Sequence, residues 1–253
     1  MMFAPGDLTD DQFLSGRLQL WQPARGYRAA TDPVLLAAAC PAEAGDSVLD
    51  LGCGVGTAAL CLGYRVPDLR LAGLELQPAY AELARRNAAR NGIALELAEG
   101  DLRQMPQSLR RDFDQVICNP PYYAPGGTPS PDQARAVAMQ IEAVPLRLWV
   151  EVAARRLRPG GWLTMITGAD ALPELLSSLG KLGSAAVLPL AAREGRPAKR
   201  VILRARKGGR AAFRLLAPFV LHQGASHLGD REAYTPEANE ILRNGCALSA
   251  QFG

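Results

Sequence analysis

The stretch Val48-Leu49-Asp50-Leu51-Gly52-Cys53-Gly54-Val55-Gly56-Thr57 decides how this chain folds. An apolar run enters it, glycines alternate through a turn, and a helix-compatible segment leaves. This is a strand (47–51) feeding a helix (57–65) through a turn where bare backbone comes close to a ligand.

Working outward from that stretch, a strand–helix rhythm continues. Strands are expected at 71–76, 94–98, 113–118 and 162–167, alternating with helices at 78–91, 141–157 and 172–182. Gly92 supplies a helix stop, and Pro159-Gly160-Gly161 a turn into the strand at 162. Strands at 185–190 and 200–206 have no long helix between them, which predicts an antiparallel hairpin at one edge. The pattern predicts an α/β fold, a doubly wound, mostly parallel seven-stranded sheet. Upstream, residues 1–28 read as irregular apart from a strand-like alternation at Leu18, Leu20 and Trp21. Thr31-Asp32-Pro33 reads as a helix start, with Thr31 or Asp32 as cap, and 34–40 is apolar enough to be buried. The tail reads as a strand-like 217–222, a turn-rich loop and a short helix at 236–243. There is no internal repeat. The expected division is an N-terminal segment and capping helix (1–44), a core (45–206) and a C-terminal extension packed on it (207–253).

At 253 residues and 48% hydrophobic, the chain is long enough to bury a sizeable core. Its net charge of +3 is too small to argue for a polyanionic partner by itself. The distribution says more. Arg193, Arg196, Lys199, Arg200, Arg204, Arg206, Lys207, Arg210 and Arg214 are opposed within 193–214 only by Glu194. This is either a track for a phosphate backbone, with Arg200 and Arg204 central to it, or a solvated edge-strand face. The five cysteines form no C-x-x-C pair and mostly sit in apolar surroundings, so they read as small buried residues of a reduced, cytoplasmic, soluble protein. No signal sequence or membrane-spanning apolar run is evident. His222 and His227 have no third ligand nearby, so no metal site is expected. Asn87 and Asn91 read as a polar helix face and a helix end; Trp149 and Trp162 read as core.

The turn's spacing is Gly52-x-Gly54-x-Gly56, with Thr57 where a dinucleotide-binding turn would have its third glycine. A dinucleotide brings a pyrophosphate to the helix N-terminus. S-adenosyl-L-methionine brings none; it carries an ammonium, a carboxylate and a sulfonium across the turn. Asp50 suits its cationic end. Glu75, ending the next strand roughly 20 residues on, stands where an acid accepts ribose hydroxyls. Asp101, after the third strand, can accept from an adenine amino group. With Gly52, Gly54 and Gly56 these acids make one nucleoside pocket. Together with the Leu157-Arg158-Pro159-Gly160-Gly161 turn, they resemble the class I, Rossmann-like S-adenosylmethionine-dependent methyltransferases over residues 45–205.

Asn119-Pro120-Pro121-Tyr122 follows the fourth strand directly. A ring-conjugated amine is a poor nucleophile because its lone pair is delocalised. The Asn119 side-chain oxygen and the Pro120 carbonyl can each accept one of its N–H bonds, aiming the lone pair at the methyl donor beside it. Pro120 and Pro121 stiffen the acceptors, and Tyr122 offers a stacking face for a planar substrate. Tyr123 either lines the entrance or packs beside the motif. The loop at 123–131 has the composition of a binding loop.

The tetrapeptide occurs in methyltransferases of adenine amines and of a glutamine amide in release factors. Here Gly26-Tyr27-Arg28, Thr31-Asp32-Pro33-Val34-Leu35-Leu36-Ala37, Tyr122-Tyr123 and Tyr234-Thr235-Pro236-Glu237 resemble the bacterial transfer-RNA adenine-N6 methyltransferases. That resemblance implies that Thr31 and Asp32 cover the methionine end of the cofactor, and that the substrate is structured RNA, most readily tRNA near the anticodon. Pro33 departs from the glycine frequent in that group. Two rivals stand beside this expectation: a protein glutamine-amide methyltransferase, and a non-catalytic RNA-binding protein of the same fold.

Overall fold

The computed structural model describes residues 2–121, 144–224 and 233–253. Tyr122, Tyr123, His227, the loop at 123–131 and the expected start of the helix at 141 lie outside the described residues.

Residues ahead of the glycine turn are not irregular. Leu8–Phe13 (β1) and Leu18–Pro23 (β2) pair as an antiparallel hairpin. β2 shows alternating burial, but no β1 residue is fully buried and its acids hide the period. The chain turns between them with positive φ at Leu14, Ser15 and Gly16.

Next comes helix α1 (Thr31–Ala39), almost entirely buried from Pro33 onward. Its N-cap is Ala30, with no side-chain cap bond, so neither Thr31 nor Asp32 caps it as expected. Ser47–Leu51 (β3), Thr57–Arg65 (α2), Arg70–Glu75 (β4), Pro78–Arg90 (α3), Leu95–Glu99 (β5) and Phe113–Cys118 (β6) then alternate. Leu146–Arg156 (α4) leads into Leu157–Gly168 (β7), Leu172–Ser177 (α5), Leu182–Ala191 (β8) and Arg200–Lys207 (β9). Two-residue strands Arg214–Leu215 (β10) and Phe219–Val220 (β11) follow, then Pro236–Asn244 (α6) and Ser249–Phe252 (α7).

The sheet order is β5-β4-β3-β6-β7-β9-β8, with β10 and β11 both added to β8. β9 runs antiparallel to β7 and β8; the other pairs are parallel. The expected antiparallel hairpin is therefore β8–β9, with β9 tucked inside β8 and seven long strands extended by two short ones. Strand order reverses at β3, where the chain first builds outward to β5 and then returns to β6. In such sheets the ligand lies beyond the carboxyl ends at that reversal.

Two apolar layers hold the sheet. Val48, Ile117 and Ile202 pack with α1, α2, Ile241 and Phe252 on one face, while Leu49, Leu51, Val116 and Leu163 pack with α4 and α5 on the other. The hairpin is stapled to α3 by two asparagines one turn apart. Asn87, 0% exposed, accepts the Trp21 N–H at 2.8 Å and donates to the carbonyls of Trp21 and Val55, each at 3.0 Å. Asn91 repeats the pattern on Gln19, accepting at 3.0 Å and donating at 2.9 Å. Both side chains mimic a strand edge.

Candidate active site

All three turn glycines have positive φ: Gly52 at 69°, Gly54 at 56° and Gly56 at 87°. At Gly52 a side chain is excluded twice, because a Cβ there would also lie 2.7 Å from the Trp149 ring. The N–H groups of Gly52 and Cys53 both donate to the Leu74 carbonyl, at 2.8 and 3.0 Å, which ties the turn to the end of β4.

Asp50 sits under this turn, 3% exposed. Its Oδ2 meets no hydrogen-bond donor among the described residues. Burial, reinforced by the neighbouring Glu75 charge and only partly offset by the Ala59 amide in α2, pushes its pKa up to about 8. Glu75 is also buried. Its Oε2 accepts the Gly54 N–H and its Oε1 the Gln77 N–H, each at 2.9 Å, and burial raises its pKa against those bonds. Gly100 donates to the Glu75 carbonyl at 2.9 Å, which sets Asp101 beside it. Asp101 Oδ1 accepts the Arg103 N–H at 2.7 Å, capping a short turn. So Asp50, Glu75 and Asp101 do come to the carboxyl ends of three adjacent strands.

Pairing of Leu51 with Cys118 makes Gly52 and Asn119 the next residues on adjacent parallel strands. The two motifs thus emerge side by side. Pro120 is buried behind Asn119 and Pro121 is exposed. Asn119 Nδ2 donates to the Tyr27 hydroxyl at 3.3 Å. Tyr27 was part of the resembling segment but was not among the expected site residues. Its ring lies over Gly54, at 3.8 Å from where a Cβ would stand, and its carbonyl accepts the Tyr80 hydroxyl at 3.4 Å. No sequence period reports this contact; the glycine at 26 beside an aromatic was the available signal.

Asp32, in the first turn of α1, accepts from Arg200 Nε at 2.7 Å, bringing the start of β9 to the same end of the sheet. Thr31 opens the same helix. Arg204 is elsewhere: its guanidinium stacks 5.1 Å from the Trp162 ring centre and 4.5 Å from that of Phe252. The basic segment is therefore divided. Arg193, Arg196, Lys199 and Arg200 lie at the carboxyl end. Arg206 and Lys207 lie at the other, where they bond the carbonyls of Gly160 (2.9 Å) and Leu157 (2.5 Å). Eight residues of β9 separate the ends, about 25 Å. Arg193 is drawn onto the Gln223 carbonyl, while Arg196 and Lys199 are exposed.

Cys40, Cys53, Cys61 and Cys118 are buried, and burial raises each thiol's pKa. His222 stacks on Tyr234 at 4.8 Å. Among the described residues no group of three or more His, Cys, Asp or Glu could hold a metal, and no helix is long and apolar enough to cross a membrane.

An unpaired buried carboxylate oxygen, a second acid anchored by the turn's own amide, and a turn of bare backbone suit a cationic nucleoside. S-Adenosylmethionine suits that set: Asp50 would face its charged end, Glu75 the ribose and Asp101 the adenine. Fold and site together define a class I S-adenosylmethionine-dependent methyltransferase. A family model described as the methyltransferase small domain matches residues 30–179, and the chain belongs to that family. It is similar to the tRNA1(Val) (adenine(37)-N6)-methyltransferase of Porphyromonas gingivalis, 34% identical over 174 residues, 65% of this chain and 68% of that one. The enzyme of the same name from Yersinia enterocolitica is 30% identical over 196 residues, 75% of this chain and 77% of that one. Among solved structures, a predicted O-methyltransferase from Agrobacterium tumefaciens superposes with a TM-score of 0.68 at 26% identity, over 85% of this chain and 97% of that one.

Proposed function

We propose that this methyltransferase acts on the exocyclic amine of an adenine in RNA, most specifically a tRNA adenine near the anticodon. The observation that carries this reading is the adjacency of Gly52 and Asn119, each directly after one of two paired strands, which brings the Asn119 motif next to the glycine turn. The relatives named as tRNA adenine-N6 methyltransferases support the choice of polymer.

When bound, S-adenosylmethionine supplies an electrophilic methyl group on a sulfonium. The chain's own residues do the rest. Asn119 Oδ1 and the Pro120 carbonyl accept the two N–H bonds of the substrate amine, so its lone pair is left to attack. The same two oxygens would stabilise the positive charge that develops on the attacking nitrogen. The methylated nitrogen is acidic enough to lose its extra proton to solvent, so no strong base is required. Bases of an anticodon loop are already unpaired, which makes delivery of one to the pocket cheaper than from a duplex. Arg196 and Lys199, exposed beside Arg200 at this end of the sheet, are the residues positioned to hold the RNA backbone.

The test is incubation with methyl-labelled S-adenosylmethionine and bulk tRNA, ribosomal RNA or release-factor protein in parallel. Label sensitive to ribonuclease in the tRNA arm supports the proposal. Label confined to protein contradicts it and points to a glutamine amide instead.

A further inference from the structure

Asn119 serves a substrate amine only if its amide oxygen faces that amine. The reverse orientation would present an NH2 group to another NH2 group, two donors with no acceptor between them. Something must choose between the two orientations.

In the structure the Asn119 NH2 is turned to the Tyr27 hydroxyl, at 3.3 Å. A phenol can accept or donate, and its surroundings decide which it offers. The Asp32 carboxylate places negative charge near this hydroxyl. Its proton turns toward negative charge, which leaves a lone pair for Asn119 Nδ2. Tyr27 is half exposed as a residue, while its hydroxyl meets Asn119. Burial first, then the Asp32 charge, push its pKa up to about 12, so it stays a neutral phenol under physiological conditions.

Tyr27 is also held at several points. Asp32 is fixed by Arg200 at 2.7 Å, the Tyr27 carbonyl takes the Tyr80 hydroxyl at 3.4 Å, and its ring lies over Gly54. It thus bridges the turn after β3 and the motif after β6.

We infer that Tyr27 is a positioning residue for methyl transfer: its hydroxyl fixes the Asn119 amide with Oδ1 toward the substrate amine, while its ring covers the cofactor turn. The inference rests on the amine-acceptor reading above.

Tyr27→Phe keeps the ring and removes only the hydroxyl. It is expected to lower kcat for methyl transfer to tRNA roughly tenfold, the scale of one lost hydrogen bond. The S-adenosylmethionine Kd, measured by calorimetry, should stay within about twofold. Tyr27→Ala should weaken both. Because Tyr27 acts through Asn119, adding Tyr27→Phe to Asn119→Ala should change the residual single-turnover rate by less than about twofold. An unchanged kcat in Tyr27→Phe, equal losses of kcat and cofactor affinity, or full additivity with Asn119→Ala would overturn the inference while leaving the function intact. A wild-type protein that methylates no adenine would overturn the acceptor reading, and this inference with it.

Discussion

Asp50 and Asp114 lie on adjacent strands of one sheet, near opposite ends, and their carboxylates are in opposite condition. Asp114, at the start of β6, accepts the Ser47 N–H at 2.8 Å and its hydroxyl at 2.6 Å, and it also pairs with Arg158. Its partial burial works against the charge, but the Ser47 bonds and Arg158 hold its pKa at about 2. Asp50, at the carboxyl end of β3, has one oxygen without a donor among the described residues and a pKa near 8. A satisfied carboxylate fastens strands together. An unsatisfied buried one costs stability in the free protein, and it makes sense as the receiver of a cation that arrives later. The glycines divide in the same way. Those at the site end leave backbone exposed to a ligand, whereas Gly183 at the far end lets two backbone segments touch, its Cβ position lying 2.2 Å from the Gly209 carbonyl oxygen.

The paired substitutions Asp50→Asn and Asp114→Asn break this comparison most sharply. Asp50→Asn removes a buried charge partner and should weaken S-adenosylmethionine binding by about 100-fold or more. Ligand-free stability at pH 8 should be equal or higher. Asp114→Asn should do the reverse, costing about 2 kcal/mol of stability through lost charged hydrogen bonds and leaving cofactor affinity unchanged. Calorimetry and denaturant melts on both variants check this. Equal behaviour of the two would remove the distinction.

The pH dependence follows with its sign. Asp50 is raised in the folded chain from 3.8 to about 8, so the folded state holds the proton longer than the unfolded one. Its contribution to stability falls as pH rises from about 4 to about 8 and is level above that. Asp114 is depressed from 3.8 to about 2, so its contribution is present above about 4 and lost as pH falls toward 2. Cofactor binding should therefore release protons near pH 7, as a cation draws Asp50 into its charged form. Calorimetry in buffers of different ionisation heat would show it, and binding with no proton release would mean Asp50 is not the receiver.

The smallest expected effect concerns the cations. Replacing both Arg196 and Lys199 with Ala should lower tRNA affinity by about tenfold and reduce the salt slope by about 2. The same change at Lys207 and Arg210 should move affinity by less than about twofold. Equal losses would mean that RNA reaches both ends of the sheet.

Legibility in the sequence followed the same division. β3, α2 and β6 were readable to the residue because each is a buried run bounded by glycine, proline or a polar turn. β7 was shortened in that reading because Pro159-Gly160-Gly161 resembles a turn. Leu157 in fact pairs with Phe113 ahead of a register shift, so the strand passes through it. β1 was missed because its acids obscure a weak period. The strand-end positions of Asp50, Glu75, Asp101 and Asn119 were legible because each lies at or just past the end of a predicted strand. Tyr27 was not, since its role depends on a contact across 92 residues. Arg204 looked like part of a continuous stripe, and only the packing of Trp162 and Phe252 around it shows an interior role.

The most direct test of the central claim is nucleoside mass spectrometry of tRNA after a single turnover with S-adenosylmethionine, comparing wild type with Asn119→Ala. N6-methyladenosine should form with the wild type, and its rate should fall by about 1,000-fold in the variant with cofactor affinity largely kept. A methylated nucleoside other than adenosine, or an unchanged rate in Asn119→Ala, would contradict the account.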